Sequence, residues 1–201
     1  MKSIEKFQNL LPLGYLFLVL LGIIKETVYF HQIGINILKY SSIMDILISP
    51  IATLTSQPIV FGAIIMIFVF HFYLPALLFK NRHKKWIHKG FELDKMKEDS
   101  SDEEVKNHLV NLAVRTLSMV LLSFFLGFGF AEGLDISSRI KNDKLKYDYK
   151  LNYNSGESED VSILGSNSLY YFYMSKGNKA IKIAPIGTIK DIEMIKNRKF
   201  Q

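Results

Sequence analysis

Residues 58–79 read "PIVFGAIIMIFVFHFYLPALLF". One ionisable residue, His71, interrupts an otherwise apolar run. A helix needs ~20 apolar residues, rising ~1.5 Å each, to cross a bilayer. The stretch meets that length, so the chain reads as a membrane protein. Pro58 suits a first helical turn, where the missing N–H costs nothing. Pro75 falls inside the helix and withdraws the donor that would meet the His71 carbonyl, so a kink is expected. The His71 ring and its freed carbonyl then share one depth. Lipid would satisfy neither, so His71 is expected to face protein or water.

Two further runs flank this one. Residues 10–30 read "LLPLGYLFLVLLGIIKETVYF". A signal peptide can open similarly, but bulky Val28, Tyr29 and Phe30 stand where a small-x-small cleavage site would, so a retained span is expected. Residues 112–134, "LAVRTLSMVLLSFFLGFGFAEGL", form the third. Upstream, Ser101 and Glu104 have capping-box spacing, and Asp102 and Glu103 suit a helix N-terminus. One helix from about 101 to 133 is expected. Between the first two runs, residues 33–57 are apolar but broken by Lys39, Asp45 and Pro50. Ile37, Tyr40, Met44, Leu47, Ile51 and Leu54 recur at helical spacing. This predicts an interfacial or re-entrant helix over about 42–55, with Ser42 and Asp45 placed to cap it. A fourth span is the alternative.

Orientation follows from charge. Lys80, Arg82, Lys84, Lys85 and Lys89 come with no acid among them, which places the 80–110 connector in the cytoplasm. Three spans then put the C-terminus outside. Arg139, Lys141, Lys144 and Lys146 argue the other way, diluted by Asp135 and Asp143. The same flanking basic clusters account for a net charge of +6 without a nucleic-acid partner. The chain has no cysteine, which removes disulfides and thiol chemistry.

After Leu134 the periodicity changes from helical to alternating. "LKYDYKLNY" (145–153), "VSIL" (161–164), "LYYFYM" (169–174) and "KAIKIAPI" (179–186) read as short antiparallel strands, and "GTIKDIEMIK" (187–196) as a strand or a helical turn. "LYYFYM" is apolar on both faces, so it belongs inside a sheet. Residues 143–201 therefore form a small β module, for which SH3-like and split-barrel shapes both fit. The fold class is α+β: a transmembrane helical region over 1–134 and this antiparallel module.

No catalytic constellation is present. His83 and His88 lie among cations, and "GFGFAEG" lies within an apolar run rather than after a strand, so it is not a dinucleotide loop. No enzyme activity, cofactor or metal site is expected. The informative residues are the polar groups inside the runs: Lys25, Glu26, His71 and Tyr73, with Arg115 and Glu132 near the ends of the third. Ser123, Gly127 and Ala131 form a small-residue ridge at spacing four, suited to packing within the chain or to self-association. Gly14, Leu18 and Gly22 make a weaker one. The expected protein is a small homo-oligomeric component of a bacterial inner membrane that permeabilises or gates it or acts as a membrane effector. The alternative is a membrane-anchored sensor or scaffold whose β module binds a protein or small ligand. Expected partners are the lipid bilayer, further copies of the chain, and a protein bound through the β module or the basic 80–89 segment. His71 and Glu26 separate the two readings: a polar lumen favours the first, a dry helix contact the second.

Overall fold

The computed structural model describes residues 2–91, 93–96 and 100–196, with side chains from Pro12 onward except Lys95. Among the described residues five α-helices precede five β-strands: α1 (Lys2–His31), α2 (Ile43–Ser56), α3 (Pro58–Lys80), α4 (Lys85–Gly90) and α5 (Asp102–Lys141), then β1 (Tyr149–Tyr153), β2 (Ser158–Ser166), β3 (Tyr170–Ser175), β4 (Ile181–Pro185) and β5 (Ile189–Met194). Three stretches are long and apolar enough to cross a membrane: Pro12–His31, α3 and α5. Helix α2 has 14 residues. At ~1.5 Å per residue it falls short of a ~30 Å hydrocarbon core, so the fourth-span alternative is not supported.

The helix ends follow their local chemistry. Ser42 and Asp45 cap α2 reciprocally: the Asp45 N–H donates to Ser42 Oγ (3.2 Å) and the Ser42 N–H to Asp45 Oδ2 (2.8 Å). Ser101 and Glu104 do the same for α5. Helix α5 runs past the expected end to Lys141, and its last turns carry an Asp135–Arg139 ion pair at 2.8 Å, spaced four apart. Helix α3 accommodates Pro75 without a break in its helical assignment.

The chain divides into two compact units, residues 1–50 with 125–201, and residues 51–124. The first contains the sheet, which is antiparallel throughout with strand order β4-β3-β2-β1-β5. The two outer strands are separated in sequence only by a 3-10 turn, Ile186–Thr188. So short a link between opposite edges requires the sheet to curl. Its inner face follows: Leu151, Val161 and Tyr173 are buried among other strand residues, including Ile163, Ile189 and Ile192. Of the two shapes open from sequence, this connectivity is the SH3-like one. Strand β3 is interior, as its two-sided apolar pattern required, with Phe172, Tyr173 and Met174 all buried. On the opposite face Phe172 packs with Phe30 and Ile37.

In the second unit Leu78, Ile87, Leu93 and Leu109 form a buried cluster joining the end of α3, α4 and the start of α5.

Candidate functional site

The polar residues of the first run gather where α1, α2, α5 and the sheet meet. Helix α2 approaches α1 at Gly22, where an added Cβ would stand 1.9 Å from the Ile46 carbonyl oxygen. Pro50, fully buried, has no N–H to offer that carbonyl one turn later. The carbonyl therefore turns towards the bare Gly22 backbone, an approach only glycine permits. One turn further along α1, Ser49 Oγ donates to Glu26 Oε1. Lys25 Nζ contacts the same oxygen at 3.0 Å, with the two side chains only 13% and 17% exposed. Lys25 and Glu26 are thus paired with each other and with Ser49, and both side chains are largely covered.

Helix α5 closes the other side. A Cβ at Gly129 would lie 2.6 Å from the Lys25 carbonyl oxygen, and one at Gly133 would lie 2.8 Å from that of Tyr29. Both contacts advance four residues in the same direction, so α1 and α5 run parallel along this seam. Nothing lies within 4 Å of a Cβ built at Gly127. Ser123, Gly127 and Ala131 are all exposed. The ridge singled out from sequence therefore takes no part in packing within the described chain. The seam uses Gly129 and Gly133 instead, a G-x-x-x-G spacing that "GFGFAEG" contains beside the longer ridge. The Gly14–Gly22 ridge splits similarly: Gly22 is packed and Gly14 open.

The sheet is bolted to this helical corner. The Tyr29 hydroxyl donates to the Leu164 carbonyl. The Phe30 ring sits 4.9 Å from that of Phe172. It also lies against Gly165, where β2 shifts register relative to β3. Asn167 Nδ2 donates to the Tyr40 carbonyl at 3.1 Å, while its Oδ1 receives the Leu169 and Tyr170 N–H groups. Asp45 receives the Ser168 N–H at 2.9 Å and the Ser168 hydroxyl at 3.1 Å, in addition to its bonds with Ser42. Burial alone would push the Asp45 carboxyl up, but the bonds from Ser42 and Ser168 outweigh it and hold the group below its usual range. One carboxylate thus starts a helix and grips the β2–β3 turn. None of these attachments except the Ser42–Asp45 cap was expected from sequence.

His71 lies in the second unit. Its ring is 9% exposed, and Nδ1 lies 2.8 Å from the Ile67 carbonyl one turn earlier. A carbonyl only accepts, so Nδ1 carries the proton. The ring also borders a half-open cavity of about 610 Å³ lined by Phe68, Phe72, Pro75, Val110, Val114 and Leu117. Apart from His71 itself and Tyr73, the lining is apolar. Tyr73 is 64% exposed and stacks edge-on with Phe72. His71 therefore faces protein, with its polar demand met partly by its own helix.

A second polar group sits in the β module. Glu159 accepts from Tyr153 (2.7 Å), from Lys182 Nζ (2.6 Å) and from Ser175, while Tyr153 shares a hydroxyl bond with Tyr173 at 2.7 Å. Four strands contribute. Burial pushes the Glu159 carboxyl up, but the bonds from Lys182, Ser175 and Tyr153 bring it below its ordinary value. The bond to Glu159 raises Lys182. Burial, then the bonds to Tyr173 and Glu159, raise the Tyr153 hydroxyl. Among the described residues no group of three His, Asp or Glu side chains is arranged to hold a metal ion.

No family model matches the chain, and searches of the curated proteins and of the solved structures found no match either.

Proposed function

We propose that the protein is a membrane-anchored sensor or scaffold: three spans hold an SH3-like module against one face of a bacterial inner membrane, where it binds a protein or small ligand. The observation that carries this reading is the bolted corner. Tyr29, Asn167 and Asp45 fasten β2 and the β2–β3 turn to α1, to the α1–α2 link and to the start of α2 by side-chain-to-backbone bonds. A module tethered only for retention needs none of them. Three polar residues that a conducting pathway could use make internal contacts instead: Glu26 with Lys25 and Ser49, and His71 with Ile67. The acid-free cluster Lys80–Lys89 supports a cytoplasmic connector.

The test has two arms. Reporter fusions at Gly90 and Gln201 are expected to localise to opposite sides. The full chain in liposomes is expected to add no ion flux over empty vesicles. A pH-dependent conductance that His71→Ala abolishes would overturn the scaffold reading.

A second reading, a permeabilising homo-oligomer, has one observation in its favour: the exposed Ser123–Gly127–Ala131 ridge with open space at Gly127. Gly127→Leu would disperse such an oligomer while leaving the fold of each chain intact. An unchanged size in detergent would remove this support.

A further inference from the structure

Trp86 is the chain's one tryptophan, and it is 61% exposed on α4. Its neighbour Ile87 is 1% exposed, packed with Leu78, Leu93 and Leu109. With Ile87 turned inward, Trp86 lies on the outer side of α4, its ring in edge contact with Phe91 at 6.1 Å. Lys84, Lys85 and Lys89 are exposed beside it. Two nearby acids are already engaged: Asp102 with Arg82 at 3.0 Å and Asp94 with His88 at 3.4 Å. Among the described residues the three lysines make no ion pair. Helix α4 begins five residues after Lys80, the end of a candidate span, so where α3 crosses a bilayer this surface falls near its headgroups.

An exposed indole with unpaired lysines at a span end matches one environment. Tryptophan favours the headgroup region, where its ring is half buried and its N–H is wet. Lysines there gain roughly fivefold each in preference for an anionic over a neutral surface. We infer that α4 and its flanks are a docking surface for anionic lipid headgroups, with Trp86 as the anchor and Lys84, Lys85 and Lys89 as the charge-reading groups. The inference rests on the membrane-spanning reading above. A soluble protein or nucleic acid would find the lysines but would leave the indole, at a span end, without a reason to be fixed outward.

The single tryptophan makes the test direct. The full chain is placed in nanodiscs of zwitterionic lipid alone or mixed with phosphatidylglycerol, and Trp86 emission is followed. Adding the anionic lipid is expected to shift emission to shorter wavelength. It should reduce quenching by acrylamide severalfold and increase quenching by a headgroup nitroxide. High salt should reverse the change by shortening the screening length. The triple variant K84Q/K85Q/K89Q should lose the response while keeping its helix content. Equal acrylamide quenching in both lipids, or a triple variant that responds like the parent, would overturn the inference. A Trp86 signal that moves only when a soluble protein or nucleic acid is added would also overturn it. Failure of the chain to co-elute with the discs would sink the membrane reading itself.

Discussion

Replacing Gly22 with alanine should separate α2 from α1, and the structure sets the size of the effect. The new Cβ would stand 1.9 Å from the Ile46 carbonyl oxygen, and contacts below 3.0 Å are essentially never seen, so the helices must part by roughly 1.1 Å. The obstacle is backbone, and no rotamer change relieves it. Overpacking of this kind costs ~1–3 kcal/mol. Loss of the Ser49–Glu26 bond adds about 1 kcal/mol. Alanine returns ~0.8–1.0 kcal/mol as the better helix former. The net expectation is a loss of about 2 kcal/mol. Gly14 lies on the same helix with nothing within 4 Å of its Cβ, so Gly14→Ala carries only the gain. The two variants should therefore differ by about 3 kcal/mol in SDS titrations of the full chain followed by circular dichroism. Equal midpoints would refute the close approach at Gly22 and with it the packing of α2 on α1.

Asp45→Asn weakens both the α2 cap and the grip on Ser168. It should cost ~1 kcal/mol or more and raise amide exchange at Ser168 selectively; unchanged exchange there would remove the bolt. Tyr29→Phe leaves the Leu164 carbonyl without its hydroxyl donor and should cost about 1 kcal/mol, seen as faster exchange around the β2 register shift. Glu159 is held below its ordinary value, so its stabilising contribution is full above the unfolded value of about 4.3 and is lost as pH falls through the folded value. The melting temperature of the β module should drop through that acid window, and Glu159→Gln should flatten the drop. Lys182, raised by the same bond, contributes fully below its unfolded value and loses that contribution as pH rises through its folded one.

The helices were legible because their signals are local. Apolar length marks a span, and Ser42–Asp45 and Ser101–Glu104 announce their own helix starts within three residues. The inward place of β3 was legible because "LYYFYM" has no polar face to give to water. The seam was only half legible: "GFGFAEG" offers more than one small-residue pairing at spacing four, and nothing local decides which pair meets a neighbour. The bolt was not legible. It joins positions more than a hundred residues apart, and its acceptors at Leu164 and Tyr40 are main-chain carbonyls, which every residue carries. His71 resisted for the opposite reason. Its bond to Ile67 is so local that any helical histidine can make it, so sequence had no ground to prefer it over a lumen.

The distance in sequence between Asp45 and Ser168 also sets a clock. They are 123 residues apart. A ribosome adding about 5–20 residues per second delivers Ser168 roughly 6–25 s after Asp45. During that interval α1 and α2 can already form, since the Ser42 cap is local, but Phe30 has no aromatic partner in β3 and Asp45 has only half of its bonds. The nascent chain therefore waits with an apolar ring and a carboxylate uncovered at the same corner, and the last third of the message completes what the first third began. Slowing translation between the third run and β2 should lengthen that exposed interval. A protease or chaperone would meet this protein at that stage of its synthesis, before the β2–β3 turn arrives to close it.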